Sequence, residues 1–264
     1  MRILDATFDL DTFFLDLARA PRAVLMLDYD GTLAPFHREP ARAAPYPGIV
    51  PALNELMETS ETRVVIVSGR WTRDLLPLIG LRERPEIWGV YGWERLMPDG
   101  RYVIGTVPES ALAALVAADD WAEDLRALGA REERKPASVA FHWRGRRENE
   151  IGSIREALMH RWTTLDHPSG LVLRDFDGGM ELCASGHDKG DAVRTLTSEC
   201  GPDAIIAFLG DDDADEDAFR AVPAGGAAVL VSHVQRPSAA HLWLQPPGEL
   251  LMFLRRWRSA RRDR

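Results

Sequence analysis

Two stretches of the chain carry unbroken apolar runs: Ala23-Val24-Leu25-Met26-Leu27, and Ala204 to Leu209 in the order Ala-Ile-Ile-Ala-Phe-Leu. A run with no polar alternation predicts a strand buried on both faces, as at the centre of a parallel sheet. Arg63 to Val67 and Ala227 to Val231 have the same character, and Ile87 to Tyr91 is a further strand-like run. Val50, Leu53, Leu56 and Met57 recur at helical spacing just before Arg63, so strand, helix and strand form a β-α-β unit whose strands run parallel. Helices are also predicted where Asp11 or Thr12 caps a segment bearing Phe14, Leu15 and Leu17, over Trp71 to Leu78, from Asp188 through Val193, Leu196 and Thr197, and over Glu249 to Trp257. Ala34 to Pro47 holds four prolines without periodicity and reads as a long loop over the edge at which the first strand ends.

Beyond Pro98-Asp99-Gly100 the pattern changes. Glu109 to Leu128 is expected to form one amphipathic helix ended by Gly129, with Leu112, Leu115, Val116, Trp121, Leu125 and Leu128 as its apolar positions. Ser138 to Arg144 alternates, with Val139, Phe141 and Trp143 on one face and Ser138, His142 and Arg144 on the other. A helix over about Asn149 to Trp162 precedes a hairpin of Leu171 to Phe176 and Met180 to Ala184 around Asp177-Gly178, in which Glu181 faces away from Met180, Leu182 and Ala184. Together the patterns predict an α/β protein: a doubly wound, mainly parallel core from residues 1–101 and 185–264, with a smaller α/β cap inserted at 102–184. A sheet face bearing Ser138, His142, Arg144 and Glu181 either meets water or forms a lid that reads a hydroxyl-rich substrate, and spacing alone favours water.

Composition narrows the function classes. With 264 residues, 45% of them hydrophobic, there is material for one large core or two smaller ones. No apolar run nears the ~20 residues that cross a bilayer, and Asp5, Asp9, Asp11 and Asp16 are wrong for a signal peptide. Only Cys183 and Cys200 are present, so no disulfide framework is implied, the cytoplasm is the expected compartment, and both thiols read as buried fillers. A net charge of −9 argues against nucleic-acid or anionic-membrane partners, and it requires that an anionic substrate be met by locally placed cations. The basic tail from Arg255 to Arg264 reads as a solvated helix end. The oligomeric state is not set by the sequence, with a monomer as the default.

The candidate chemistry lies where the apolar runs stop. Asp28 and Asp30 lie two apart, so in extended chain both carboxylates project the same way, and Gly31 lets the backbone turn directly afterwards. Near a divalent cation Asp28 could attack phosphorus while Asp30 passes a proton to the leaving oxygen; on this stretch alone, an ordinary Asp-Gly turn is an equal reading. The second run ends in Gly210-Asp211-Asp212-Asp213-Ala214-Asp215-Glu216-Asp217, which suggests a carboxylate-lined crevice at the carboxyl edge of one sheet. That much negative charge calls for a cation, and hard oxygen ligands suit Mg²⁺. An EF-hand calcium loop fails, because Glu216 stands where Gly is needed and Val222 where a bidentate Glu is needed. Ser68-Gly69-Arg70 ends another strand at the same edge, where a hydroxyl and exposed backbone N–H groups can hold phosphate oxygens, and Gly92-Trp93-Glu94 follows the next.

In this order Asp28-Tyr29-Asp30-Gly31-Thr32-Leu33, Ser68-Gly69-Arg70, Lys189-Gly190 and Gly210-Asp211-Asp212 resemble the four motifs of the haloacid dehalogenase superfamily of phosphohydrolases. The string Gly-Asp-Asp-Asp-Ala-Asp-Glu-Asp-Ala-Phe, 210 to 219, resembles the trehalose-6-phosphate phosphatases more particularly, and the resemblance runs from about Val24 to Phe219. It implies Asp28 as nucleophile and Asp30 as acid/base. It implies Mg²⁺ on Asp28, the backbone carbonyl of Asp30 and Asp211, with Asp212 and Asp215 in support. Ser68 and Lys189 would bind the phosphoryl group, with Gly69, Arg70 and Glu94 as further substrate-binding residues. Glu133-x-Lys135-x-x-Ser138-x-x-x-His142-x-Arg144 and Glu181 look like that family's sugar-contacting cap. The implied partner is a small-molecule sugar phosphate, with trehalose 6-phosphate first. Tyr91 and Ala214 depart from the family pattern, which usually has His and Thr there, so another glycosyl, aminosugar or cyclitol phosphate, such as glucosylglycerol phosphate, is the alternative, followed by a phosphomutase or a non-catalytic sensor.

Overall fold

The computed structural model describes residues 1–165 and 170–262, Asp119 by its backbone alone. Among them the strands are β1 (Arg2–Ile3), β2 (Arg22–Leu27), β3 (Thr62–Val67), β4 (Glu86–Gly89), β5 (Glu94–Leu96), β6 (Tyr102–Ile104), β7 (Arg131–Lys135), β8 (Ser138–His142), β9 (Leu171–Phe176), β10 (Gly179–Ala184), β11 (Ala204–Gly210), β12 (Ala227–Val231) and β13 (Leu242–Leu244). The helices are α1 (Leu10–Arg19), α2 (Ile49–Thr59), α3 (Thr72–Ile79), α4 (Glu109–Ala127), α5 (Glu148–Thr164), α6 (Lys189–Cys200), α7 (Glu216–Ala221) and α8 (Gly248–Arg262). Chain contacts divide them into two units, Met1–Val103 with Asp188–Arg264, and Ile104–His187.

The first unit is built on a sheet of strand order β1-β13-β12-β11-β2-β3-β4-β5-β6, parallel from β13 to β4 and antiparallel at β1–β13 and β4–β5. The unbroken apolar runs are its central strands because both of their faces are covered. Leu25 and Leu27 of β2 and Val64 and Ile66 of β3 pack with Phe14, Leu53, Leu75, Phe253 and Trp257 from α1, α2, α3 and α8. On the opposite face Val24, Met26, Val65 and Val67 meet Val193, Leu196 and Phe219 from α6 and α7. Full burial is worth about 1.5–3 kcal/mol for each such side chain, so β2 is firmly fixed, and with it the residue that follows.

Register then decides what meets. Leu27 of β2 pairs with Leu209 of β11 on one side and Ile66 of β3 on the other, and Asp28 N–H donates to Leu209 O at 2.8 Å. The residues following β2, β3 and β11 therefore emerge together at the carboxyl edge, beside the strand where chain order reverses.

Several local expectations change. Asp9 rather than Asp11 or Thr12 caps α1, its side chain accepting from Thr12 N–H. The strand at Ile87 stops at Gly89, because Val90 and Tyr91 turn into the left-handed region at φ 48° and 55°. Cys183 is buried, but Cys200 is only half-buried at the end of α6. The basic tail is not wholly solvated: α8 continues to Arg262, and Arg261, 2% exposed, donates to the carbonyls of Leu17 and Ala20. Asp263 and Arg264 of that tail lie outside the described residues.

The second unit carries an antiparallel sheet of order β7-β8-β10-β9. Val139, Phe141, Met180 and Leu182 form its apolar face and are buried. Helix α4 presents Ala111, Ala114, Leu115, Ala118, Trp121, Ala122 and Leu125 as its buried stripe, while Leu112, Val116 and Leu128 are 44%, 66% and 40% exposed. Leu115, Trp121 and Leu125 mark this face as expected, and the alanines at helical spacing complete it, which leaves Leu112, Val116 and Leu128 outside it. Strand β7, Arg-Glu-Glu-Arg-Lys, has no apolar residue; it sits at a sheet edge, where charges discourage further pairing. No helix among the described residues is long and apolar enough to cross a membrane.

Candidate active site

Asp28 follows β2 directly and is 3% exposed. The chain then folds back on itself: Leu33 and Ala34 N–H both donate to Tyr29 O at 2.9 Å, and the buried Tyr29 hydroxyl lies 2.7 Å from Ala43 O, tying down the proline-rich loop. Gly31, at φ 88°, is required here, since a Cβ would overlap the Asp211 carboxylate.

From the other side come α6 and the loop after β11. Asp188 caps α6, accepting from Asp191 N–H, and this sets Lys189 in the first turn. Lys189 is 3% exposed, and its Nζ donates to Asp28 Oδ1 and to Asp215 Oδ1, each at 2.7 Å. Asp215 uses its second oxygen to accept from Asp211 N–H at 2.9 Å and Asp212 N–H at 3.1 Å. Gly210 makes room, because a Cβ there would overlap the Asp215 carboxylate. Asp28, Asp211 and Asp215 each offer an oxygen, and these lie within 4.8 Å of one another. Asp212 does not join them: its carboxylate caps the following turn, accepting from Ala214 N–H at 3.0 Å.

The electrostatics of this cluster are unbalanced without a cation. Burial raises the carboxyl of Asp28 to about 6 against the opposing pull of Lys189, and burial also raises Asp212 to about 6. Asp211 goes well above the ordinary value, through burial and then the charges of Asp28 and Asp212. Lys189 stays charged despite burial because Asp215, Asp28 and Asp212 surround it. Asp28 Oδ2 is buried and has no hydrogen-bond partner among the described residues. An orphaned carboxylate oxygen beside two further carboxylates is a donor set that fits a hard divalent cation, whose charge would offset the burial and the mutual repulsion that raise these groups.

The turn after β3 is more committed than expected. Ser68 N–H donates to Trp88 O at 2.8 Å and Arg70 N–H to Ser68 Oγ at 3.1 Å, so those two amides are already engaged. Arg70 grips Asp30 with Nε–Oδ2 2.5 Å and Nη2–Oδ1 2.6 Å, while Nη1 donates to Pro40 O at 2.9 Å. Glu94 is fully buried: one oxygen accepts from Thr72 N–H at the start of α3 (2.9 Å), and the other accepts from the Tyr102 hydroxyl. It therefore anchors the turn carrying Ser68-Gly69-Arg70 from behind. The left-handed Val90-Tyr91 segment clips onto the same turn through Val90 N–H to Arg70 O and Tyr91 N–H to Ser68 O, and the Tyr91 ring occupies the space a Cβ on Gly69 would need.

In the second unit the register places Glu133 and Glu181 on either side of Ala140, whose small side chain leaves room between them. Glu181 is 1% exposed; its Oε1 accepts from Lys135 Nζ at 2.8 Å and from the Ser138 hydroxyl. Burial opposes the charge of Lys135, yet Glu181 and Glu133 hold its pKa above the ordinary value. His142 Nε2 stands 2.8 Å from Glu133 Oε2. Burial pushes the imidazole down against the pull of Glu133, and the carboxyl of Glu133, which burial alone would raise, falls to about 2 beside His142 and Lys135. Arg144 holds the β9–β10 turn through Asp177 Oδ2 at 2.6 Å.

A family model described as trehalose-phosphatase matches residues 26–247. The chain belongs to the trehalose-phosphatase family. Similar proteins include a trehalose-phosphate phosphatase of Mycobacterium ulcerans, 32% identical over an alignment 255 residues long that covers 90% of this chain and 62% of that one. The chain thus spans less than two thirds of the length of that relative. Among solved structures, the C-terminal domain of trehalose-6-phosphate phosphatase from C. albicans superposes with TM-score 0.80 at 18% identity, covering 98% of this chain and 99% of that chain. A haloacid dehalogenase-like hydrolase from B. subtilis superposes with TM-score 0.62 at 13% identity, covering 88% and 98%. These likenesses show the haloacid dehalogenase-type fold.

Arg236, to which the sequence reading assigned no role, has a direct hold on the acidic loop. Arg236, between β12 and β13, donates from Nε to Asp211 O at 3.1 Å, from Nη2 to Asp212 O at 2.7 Å and from Nη1 to Glu216 Oε1 at 2.6 Å. A lone arginine in an aperiodic stretch carries no signal that it folds against a motif some 20 residues earlier.

Proposed function

We propose that this protein is a Mg²⁺-dependent sugar-phosphate monoesterase whose substrate is trehalose 6-phosphate. The observation that carries the chemistry is Asp28: one oxygen on Lys189, the other buried with no partner among the described residues, beside Asp211 and Asp215. Mg²⁺ would be held by Asp28, Asp211 and Asp215 together with the backbone carbonyl of Asp30, and when bound it supplies the positive charge that lets buried carboxylates and a phosphate dianion share one site.

The chain's own residues do the rest. A carboxylate oxygen of Asp28 bonds to phosphorus as the bond from phosphorus to the sugar oxygen breaks, leaving an aspartyl-phosphate. Asp30 gives its proton to the departing oxygen, then takes one from the water that attacks phosphorus, which releases phosphate and restores Asp28. Both oxygens of Asp30 accept from Arg70, so that fork opens for Asp30 to turn to the leaving group. Ser68 and Lys189 hold the phosphoryl oxygens, and Glu94, engaged with Thr72 and Tyr102, keeps the Ser68–Arg70 turn in place without touching substrate. Lys135, Ser138 and Glu181 form the polar cluster that reads sugar hydroxyls, with His142 beside them.

Family membership and the likeness to the mycobacterial trehalose-phosphate phosphatase support trehalose 6-phosphate. Tyr91 favours a second reading, another glycosyl phosphate, because its ring packs on Gly69 within the turn that also carries Ser68. Phosphate release across a panel of sugar phosphates, with Mg²⁺ and with chelator, tests both. Trehalose 6-phosphate should be turned over best and only with metal; preference for another sugar selects the second reading, and undiminished release in excess chelator contradicts the metal.

A further inference from the structure

The loop that offers Asp211 and Asp215 is held from two directions. On the amide side, Asp215 Oδ2 accepts from Asp211 and Asp212 N–H. On the carbonyl side, the Arg236 guanidinium donates to Asp211 O and Asp212 O. The peptide group joining Asp211 to Asp212 is thereby gripped at both ends, its oxygen by Arg236 and its N–H by Asp215. That fixes the plane from which the Asp211 side chain departs toward Gly31. Arg236 is itself locked: Nη1 also donates to Pro237 O at 3.0 Å, and Glu216, which accepts from Nη1, is held in turn by Ala239 N–H at 2.8 Å.

We propose that Arg236 is a positioning residue for the metal site, setting the orientation of Asp211 through the backbone; the inference rests on the reading of that site given above. Its geometry specifies arginine. Two carbonyls and a carboxylate are met by three nitrogens of one rigid fork, whereas a lysine ammonium of similar reach presents a single point charge. Its charge alone would repel a cation, so any gain in metal affinity comes from position, and the two effects have opposite signs. Because Arg236 touches backbone of the ligand loop rather than the ligand oxygens, it acts at one remove, as outer-shell partners of metal ligands do.

The test is equilibrium binding of Mn²⁺, as a Mg²⁺ substitute, to the substrate-free protein and to Arg236→Gln and Arg236→Lys, followed by the resonance of the free ion. Both variants should raise Kd by about 10–100-fold, the usual cost of losing an outer-shell partner. Metal-free Tm should move by no more than about 4 °C, the shift of roughly 1 kcal/mol in a chain of this size. Arg236→Lys keeps length and charge, so it carries the test if Arg236→Gln does not fold. Wild-type-like or tighter Kd in the variants overturns the proposal and leaves the metal reading standing. Failure of the wild-type protein to bind Mn²⁺ overturns both.

Discussion

Arg70 holds the carboxylate of Asp30 in a two-pronged grip, with hydrogen bonds of 2.5 and 2.6 Å. Asp28, two residues earlier, is held instead by Lys189. The two acids of one short motif thus lean on cations from different segments, one on the β3–α3 turn and one on α6, and this separation suits them to different tasks.

The division of labour is testable through Asp30→Asn. The amide oxygen still accepts from one Arg70 nitrogen but the amide NH₂ cannot accept from the other, so Tm should fall modestly while proton transfer is lost outright. Hydrolysis of a sugar phosphate should fall by at least about a hundred-fold, the low end of general acid–base contributions, and an aryl phosphate with its good leaving group by much less. Equal losses on the two substrates would count against the role of Asp30.

Lys189 is buried between Asp28 and Asp215, and Lys189→Met leaves both carboxylates uncompensated. Breaking a buried ion pair in this way costs about 3–5 kcal/mol. Metal-free protein should melt markedly lower, and turnover should fall for aryl and sugar phosphates alike. A variant as stable and active as wild type contradicts the clamp.

Stability should depend on pH with a definite sign. Burial raises Asp28 and Asp212 to about 6, and raises Asp211 and Asp215 as well. A carboxyl with a raised folded pKa binds more protons folded than unfolded, so its contribution is fully present below the unfolded value and is lost as pH rises through about 6. Thermal melts of metal-free protein should show a lower Tm at about pH 8 than at about pH 5, with Mg²⁺ raising Tm more at the higher pH, where the ligands are charged. A Mg²⁺ effect that is larger at the lower pH would speak against these carboxylates as ligands.

Glu181 accepts from Lys135 and Ser138, so truncation would strand a buried lysine; Glu181→Gln is the cleaner change. A hydrogen bond to a charged group is worth about 1.5–3 kcal/mol, and kcat/KM for trehalose 6-phosphate should fall by roughly ten- to a hundred-fold. A small aryl phosphate, lacking the hydroxyls, should be nearly unaffected. Equal harm to both substrates means the cluster serves only the fold.

The parts of this molecule legible in the sequence are those in which one residue type carries the physics. Strands β2, β3, β11 and β12 are buried on both faces, so their apolar runs are unbroken, and the acids or hydroxyl that end them mark the carboxyl edge. Strand β7 was invisible because an edge strand needs only one neighbour and no apolar face. On α4, Leu115, Trp121 and Leu125 are buried as expected, whereas Leu112, Val116 and Leu128 are not, because alanines fill the rest of the buried stripe. At the site, Asp28, Lys189, Asp211 and Asp215 follow from motif order, whereas the engagement of Asp212 with Ala214, of Glu94 with Thr72 and of Arg236 with two carbonyls depends on backbone groups that no side-chain pattern records.

The central claim is that phosphate passes through Asp28. Acid quenching during turnover of trehalose 6-phosphate, followed by borohydride reduction, converts an aspartyl-phosphate to homoserine, which peptide mass analysis locates. The account predicts homoserine at position 28, only in the presence of Mg²⁺ and substrate, and none in Asp28→Asn. Turnover with no reduced residue, or with the mark on Asp30 or another acid, would contradict it.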